Sequence, residues 1–307
     1  MLRLSDDWVW DSWVADTGTE YHLFFLKAPR SLADPALRHG AATIGHAVSG
    51  DLTSWRVLPD ALRPVASGWE SLAVWTGSVV RGPDGAWRLY YTGVTRAGSS
   101  FGQRIGLAES PDLVTWRRAG LVLSADPRWY RTLGGGVSTM WRDPFVFADP
   151  GGDGWHMLIT AADASGGVLA HARSSDLREW EVGPPVTRGG GFGETEVAQV
   201  RVVDGTPVLT FTCHPREQTP GRRAAGDYCT WTVVGESPTG PWDLGRARPF
   251  AADPDLFAAP LVRGRDGGWV YLGFRNGDVE NGGVEAFEVV DPIPVALVDG
   301  AMVPVVR

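Results

Sequence analysis

Short runs in which apolar and polar residues alternate recur along the chain, and they come in pairs. YHLFFL (21–26), WRLYYTG (87–93), WHMLIT (155–160) and VLTFTC (208–213) are followed in turn by ATIGHAV (42–48), RIGLAES (104–110), GVLAHAR (167–173) and YCTWTVV (228–234). A fifth pair is WVYLGFR (269–275) and GVEAFEVV (283–290). Period-two patterning with many β-branched and aromatic residues predicts strands. GPDG (82–85), PGGDG (150–154), VDG (203–205) and GRDGG (264–268) lie between the runs and predict turns. No amphipathic helix longer than two turns is expected.

The paired strands carry an internal repeat. SGDLTSW (49–55) returns as SPDLVTW (110–116) and SSDLREW (174–180), with SPTGPW (237–242) as a degenerate copy. The closing tryptophans, Trp55, Trp116, Trp180 and Trp242, are 61, 64 and 62 residues apart. A period near 62 fits about five times into 307 residues. Strands grouped in such repeats predict radial sheets, an all-β, five-bladed propeller with a central funnel, as a single catalytic domain over 1–307. One blade cannot bury both of its faces, whereas a closed ring buries each against a neighbour. The S-x-D-L-x-x-W element is read as structural, Ser and Asp making a turn and Trp packing between blades.

Composition narrows the function. The net charge is −8 and no basic stripe is present, so nucleic acid is not expected as a partner. No run approaches a membrane span of about 20 residues. MLRLSDDWVW lacks the apolar core of a signal peptide, so a cytoplasmic location is expected. Cys213 and Cys229 form no disulfide framework and are expected as free thiols. His22, His39, His46, His156, His171 and His214 lack metal-ligand spacing, and neither a metal nor another cofactor is expected. The fifteen tryptophans suit both blade packing and stacking on sugar rings. Oligomeric state is not readable from the sequence.

A propeller's inner strands line its axis, so functional residues should occur once per blade and differ between blades. VWDSW (9–13), VWTGS (74–78), WRDPF (141–145), GETEVAQV (193–200) and LFAAPLV (256–262) meet that description. The steps from Asp11 to Thr76, Asp143, Glu196 and Ala258 are 65, 67, 53 and 62. Asp11, Asp143 and Glu196 would then converge. Carboxylates gathered in one cleft cost free energy unless they share protons or cations. Glycoside hydrolysis uses such a set: one carboxylate attacks or guides water, and one carboxylic acid protonates the leaving oxygen.

At these residues the chain resembles the β-fructosidase superfamily, glycoside hydrolase families 32 and 68 with the related family 43. VWDSW resembles the nucleophile motif of the levansucrases, WRDP the superfamily's Arg-Asp-Pro motif, and GETEVAQV the levansucrase acid/base stretch. VWTGS is similar to a Trp-Ser-Gly-Ser motif, and FAAP to a Phe-Ala-x-Pro stretch. The resemblance implies Asp11 as nucleophile, Asp143 as transition-state stabiliser and Glu196 as general acid then base. Glu194 would be its neighbour, the reverse assignment of the two glutamates staying open. Trp10, Trp75, Thr76 and Arg142 would shape the sugar subsite. Where the levansucrase motif continues with an Arg that touches the partner sugar, this chain has Val197; His214 and Arg216, in TCHPRE, would take over those contacts. The implied reaction is retaining hydrolysis of a β-fructofuranoside such as sucrose or a short fructo-oligosaccharide, with transfer to a sugar as a variant. Two rivals stay open: an inverting family 43-like arabinofuranosidase or xylosidase, and a non-catalytic sugar-binding propeller.

Overall fold

A computed structural model of the protein describes residues 1–224, 226–275 and 287–305. Five four-stranded antiparallel sheets follow one another along the chain. Blade one comprises Asp7–Asp16, Tyr21–Pro29, Thr43–Ser49 and Arg56–Leu62. Blade two comprises Ala73–Arg81, Trp87–Ala97, Ser100–Ser110 and Arg117–Leu123. Blade three comprises Trp141–Ala148, Trp155–Asp163, Gly166–Ser174 and Glu181–Gly183. Blade four comprises Glu196–Val203, Thr206–Thr212, Thr230–Val234 and Arg248–Pro249, and blade five Leu261–Arg263, Trp269–Tyr271, Ile293–Val298 and Ala301–Pro304. The α-helical content among the described residues is one turn, Pro220–Arg223.

Among the described residues the core is five clusters, one at each interface between neighbouring blades. Trp10, Phe24 and Ile44 of blade one meet Val74, Leu89 and Tyr91 of blade two. Tyr90 and Ile105 meet Trp141 and Met157 across the second interface, and Leu158 and Leu169 meet Phe211 and Trp231 across the third. Val203 and Val208 meet Leu261 and Tyr271 across the fourth. The ring closes where Val9, Leu23 and Phe25 pack on Val262, Val270 and Leu272. Both faces of each blade are thereby removed from water, which is the main favourable term in folding.

The repeated turn is the same object three times. Ser49 Oγ donates to Asp51 Oδ1 (2.9 Å), which accepts the amides of Thr53 and Ser54, both at 2.8 Å. Asp112 and Asp176 do the same at 2.7–2.9 Å, for Val114 and Thr115 and for Arg178 and Glu179. The intervening Leu52, Leu113 and Leu177 take left-handed backbone angles near φ +65° and bury their side chains. The tryptophan then crosses to the preceding blade: Trp116 meets Phe24 edge-on at 5.7 Å, and Trp180 meets Tyr90 at 5.5 Å. Trp55 packs into the cluster that joins blade one to blade five. The structural reading of this element is correct, and its spacing follows from one inter-blade contact per repeat.

Blade five departs from the expected strands. WVYLGFR is broken: its first three residues stay in the blade, while Phe274–Arg275 pair with Leu256–Phe257. The third strand is Ile293–Val298, not GVEAFEVV. Of the latter, 283–286 lie outside the described residues, and Val289 makes isolated bridges to Leu2 and Phe274. Val289 serves ring closure instead of the blade ladder.

Candidate active site

Each inner strand is interrupted near the same depth. In blade one Trp10 and Ser12 pair with adjacent residues, Leu26 and Phe25, so Asp11 is an extra residue on a β-bulge. Thr76 is extra in the same way between Trp75 and Gly77. In blade three Asp143 and Pro144 oppose a single residue between Arg142 and Phe145, and in blade four Val197 and Ala198 do so between Glu196 and Gln199. A bulge turns a side chain out of the alternation and re-aims it. Asp11, Asp143, Val197 and Ala258 have φ of 27°, 57°, 48° and 43°. Such angles are uncommon outside glycine, better tolerated by Asp and strained for a β-branched residue such as Val197.

The bulges correct one expectation. Asp11 and Asp143 occupy the same blade position, with Thr76 and Ala258, but in blade four that position belongs to Val197. Glu196 precedes it, where the other blades carry Trp10, Trp75, Arg142 and Phe257. Val197 uses its backbone here, its amide donating to Asp143 Oδ2 at 3.2 Å. It lines the narrower axial space below the funnel, so position 197 takes no part in the rim.

The funnel is a cavity of about 320 Å³ that brings together all ten residues singled out from the sequence: Trp10, Asp11, Trp75, Thr76, Arg142, Asp143, Glu194, Glu196, His214 and Arg216. Asp11 Oδ2 accepts Thr76 Oγ1 at 2.7 Å. Asp143 Oδ2 accepts Thr160 Oγ1 at 3.0 Å. Thr92 Oγ1 accepts the Asp143 amide (3.0 Å) and donates to the Thr76 carbonyl (3.1 Å), tying blades two and three together beneath the acids. Arg142 Nη2 lies 2.7 Å from Glu196 Oε1 and 2.8 Å from Glu194 Oε2. Both glutamates therefore face inward onto one guanidinium, Glu194 from the loop that precedes the strand. His214 caps the 3₁₀ turn Pro215–Glu217 through Nδ1, which accepts the Arg216 amide at 3.3 Å, and Arg216 is exposed at the mouth.

Burial sets the protonation pattern. It raises Asp11 to about 7, with the Asp143 charge adding to it and the Thr76 hydrogen bond and Arg38 opposing. Burial likewise lifts Glu196 to about 8 against the pull of Arg142, while Glu194 and Asp143 add to the rise. Asp143 is also raised by burial, which Arg142 opposes. Burial works against the charge of Arg142, yet Glu196, Glu194 and Asp143 together hold it firmly protonated. Asp11 and Glu196 are thereby both held well above the ordinary carboxylate range.

Several lining residues had no signal on the inner strands. Arg38 and His39 enter from the 3₁₀ segment Pro35–Ala41, between the second and third strands of blade one. The unusual length of that connection was the one available hint. Trp75 Nε1 donates to the His39 carbonyl at 2.7 Å. Leu26, Phe101, Gln103, Glu217, Phe257 and Phe274 complete the wall. Gln103 is structural, accepting the Trp141 amide and donating to the Thr139 carbonyl at the start of blade three's inner strand. Cys213 and Cys229 are buried free thiols, and among the described residues no group of three His, Cys, Asp or Glu side chains is placed to hold a metal.

A five-bladed propeller whose funnel gathers two bulge aspartates and a glutamate pair around a buried arginine defines the class. Residues 13–237 match the glycosyl hydrolases family 32 N-terminal domain, and the chain belongs to that family. It is 32% identical over 166 residues to a β-fructofuranosidase, insoluble isoenzyme 2, of Oryza sativa subsp. indica, covering 52% of this chain and 26% of the relative. It is 30% identical over 170 residues to a sucrose:sucrose 1-fructosyltransferase of Festuca arundinacea, covering 54% and 25%. The match thus spans about a quarter of the length of these relatives. A Bombyx mori glycoside hydrolase family 32 β-fructofuranosidase superposes with a TM-score of 0.75 at 21% identity, covering 98% of this chain and 63% of that one. A kestose-bound inulosucrase from Halalkalicoccus jeotgali also gives 0.75, at 20% identity, covering 98% and 89%. These two establish the shared fold.

Proposed function

We propose that the protein is a retaining β-fructofuranosidase, acting on sucrose or short fructo-oligosaccharides. The observation that carries the reading is the placement of Asp11 and Glu196 in one buried funnel, together with Asp143 and Arg142. Asp11, ionised, attacks the anomeric carbon as Glu196 gives its proton to the departing glycosidic oxygen, forming a covalent fructosyl–Asp11 ester. Glu196, now a carboxylate, takes a proton from water; the water oxygen bonds to the anomeric carbon and Asp11 leaves as carboxylate. A sugar hydroxyl in place of water gives fructosyl transfer. Asp143, fixed by Thr160 and the Val197 amide, holds sugar hydroxyls and offsets the oxocarbenium charge. Arg142 keeps Glu194 and Glu196 aimed, and Trp10 and Trp75 wall the fructosyl subsite. His214 and Arg216 face the leaving group at the mouth. Relatives named as a hydrolase and as a transferase support the fructosyl donor class and leave the acceptor to the rim.

Proton NMR of sucrose, kestose and inulin turnover tests this. The first fructose released should be the β-furanose; an α first product excludes double displacement. Turnover of aryl arabinofuranosides with none of fructosides would reject the donor assignment. Asp11→Asn is expected to lower kcat at least about a thousandfold.

A further inference from the structure

The cations of the funnel are committed differently. Arg142 is held by the two glutamates of blade four. Arg38 lines the same cavity as Asp11. Its guanidinium lies 5.5 Å from the Trp10 ring and 4.8 Å from the Phe287 ring. Nη1 donates to the Pro35 carbonyl at 3.0 Å, and Nε is buried with no hydrogen-bond partner. Among the described residues no carboxylate lies within salt-bridge distance of it. Two aromatic faces and a carbonyl hold this guanidinium in place without neutralising it, and a half-buried cation held so is costly unless it acts on a nearby charge. Asp11 is the first carboxylate its charge acts on, ahead of Glu196, and Arg216 repels it. The charged groups that bear on Asp11 are Arg38 from the 3₁₀ segment and Asp143 and Arg142 from blade three. Asp143 opposes ionisation of Asp11; Arg38 favours it, ahead of Arg142. His39, beside Arg38, adds no charge, since burial takes it down to about 3.

We propose that Arg38 is a positioning residue for the reaction: its ring-clamped guanidinium holds the negative charge on Asp11. The inference rests on the reading of Asp11 as nucleophile. It limits how far burial and the Asp143 charge push Asp11 toward its protonated form. The same cation favours the carboxylate that re-forms when the fructosyl–Asp11 bond breaks.

The direct test is a carbon-13 carboxyl titration of Asp11, assigned through Asp11→Asn, in the wild type, Arg38→Met, Arg38→Gln and Arg38→Lys. No substrate is needed. The two neutral variants should each raise the Asp11 midpoint by about one unit or more. Arg38→Lys should raise it less, because the charge remains while the stacked planar head is lost. The acidic limb of kcat/KM for sucrose should move up with the midpoint, costing about tenfold in rate per unit on the acidic side. The alkaline limb, belonging to Glu196, should move less. Either neutral variant suffices if the other does not fold. An unchanged Asp11 midpoint in a folded neutral variant overturns the proposal. A raised midpoint without any fructoside turnover upholds it and counts against the fructosidase reading.

Discussion

At the residue scale the funnel stores unfavourable electrostatics for use in chemistry. Asp11 is raised from 3.8 to about 7, so the fold prefers it protonated. Its contribution is fully present below the unfolded carboxyl range and is lost as pH rises from about 4 to 7. Asp11→Asn should therefore stabilise the protein by on the order of 1–3 kcal/mol at pH 8 and change little at pH 4, as urea denaturation at the two pH values would show. Activity needs Asp11 ionised and Glu196 protonated. With the two near 7 and 8, kcat/KM should trace a narrow bell centred between them. Thr76→Val removes the 2.7 Å hydrogen bond to Asp11 and should shift the acidic limb upward, while Thr76→Ser leaves it in place. Asp11, Asp143, Glu196, Trp10 and Trp75 were legible because each stands on an inner strand about one blade period from its counterpart. Arg38 and His39 were not, since a loop between outer strands delivers them and no periodicity marks it.

At the element scale two devices divide the labour. The Ser-x-Asp-Leu turn is local, closed by bonds two and three residues apart, and so repeats wherever its short sequence does. Asp112→Ala deletes two amide caps and should cost about 1 kcal/mol with kcat unchanged. Trp116→Ala removes the edge contact with Phe24 and should cost roughly 2–4 kcal/mol; chemical denaturation reads both. The bulges are the other device. They lift one residue per inner strand toward the axis, and their place depends on pairing with the next strand. This is why Glu196 looked equivalent to Asp11 and Asp143 by spacing, yet stands one residue before the bulge.

At the scale of the whole molecule the ring is closed by several contacts at one seam. Leu2 and Val289 exchange backbone hydrogen bonds of 2.8 and 3.0 Å. Tyr21 Oη donates to the Arg263 carbonyl at 2.9 Å, and Arg265 pairs with Asp16 at 2.7 Å. Leu2 is 4% exposed within the cluster joining blades one and five. Leu2→Ala should cost about 2–3 kcal/mol in urea, comparable to a core position in spite of its place at the chain end. The funnel keeps its shape only while the seam holds, because Asp11 sits on the strand beside it. A loss of kcat that tracks loss of the folded baseline would mark a seam defect; loss on an intact baseline would not.

The strand pattern, the period of the turn-and-tryptophan element, the number of blades and the identity of the once-per-blade polar residues follow from sequence alone. Each is set by local hydrogen bonds or by a contact that every repeat makes in the same way. Tertiary structure decided what depends on several blades at once. It placed Arg142 between Glu194 and Glu196, left Val197 at the bulge and below the rim, and brought Arg38 beside Asp11. It also moved the third strand of blade five to Ile293–Val298 while Val289 went to the seam. Such choices turn on competing long-range pairings and on how much charge one buried cavity can hold, neither of which leaves a periodic trace in the chain.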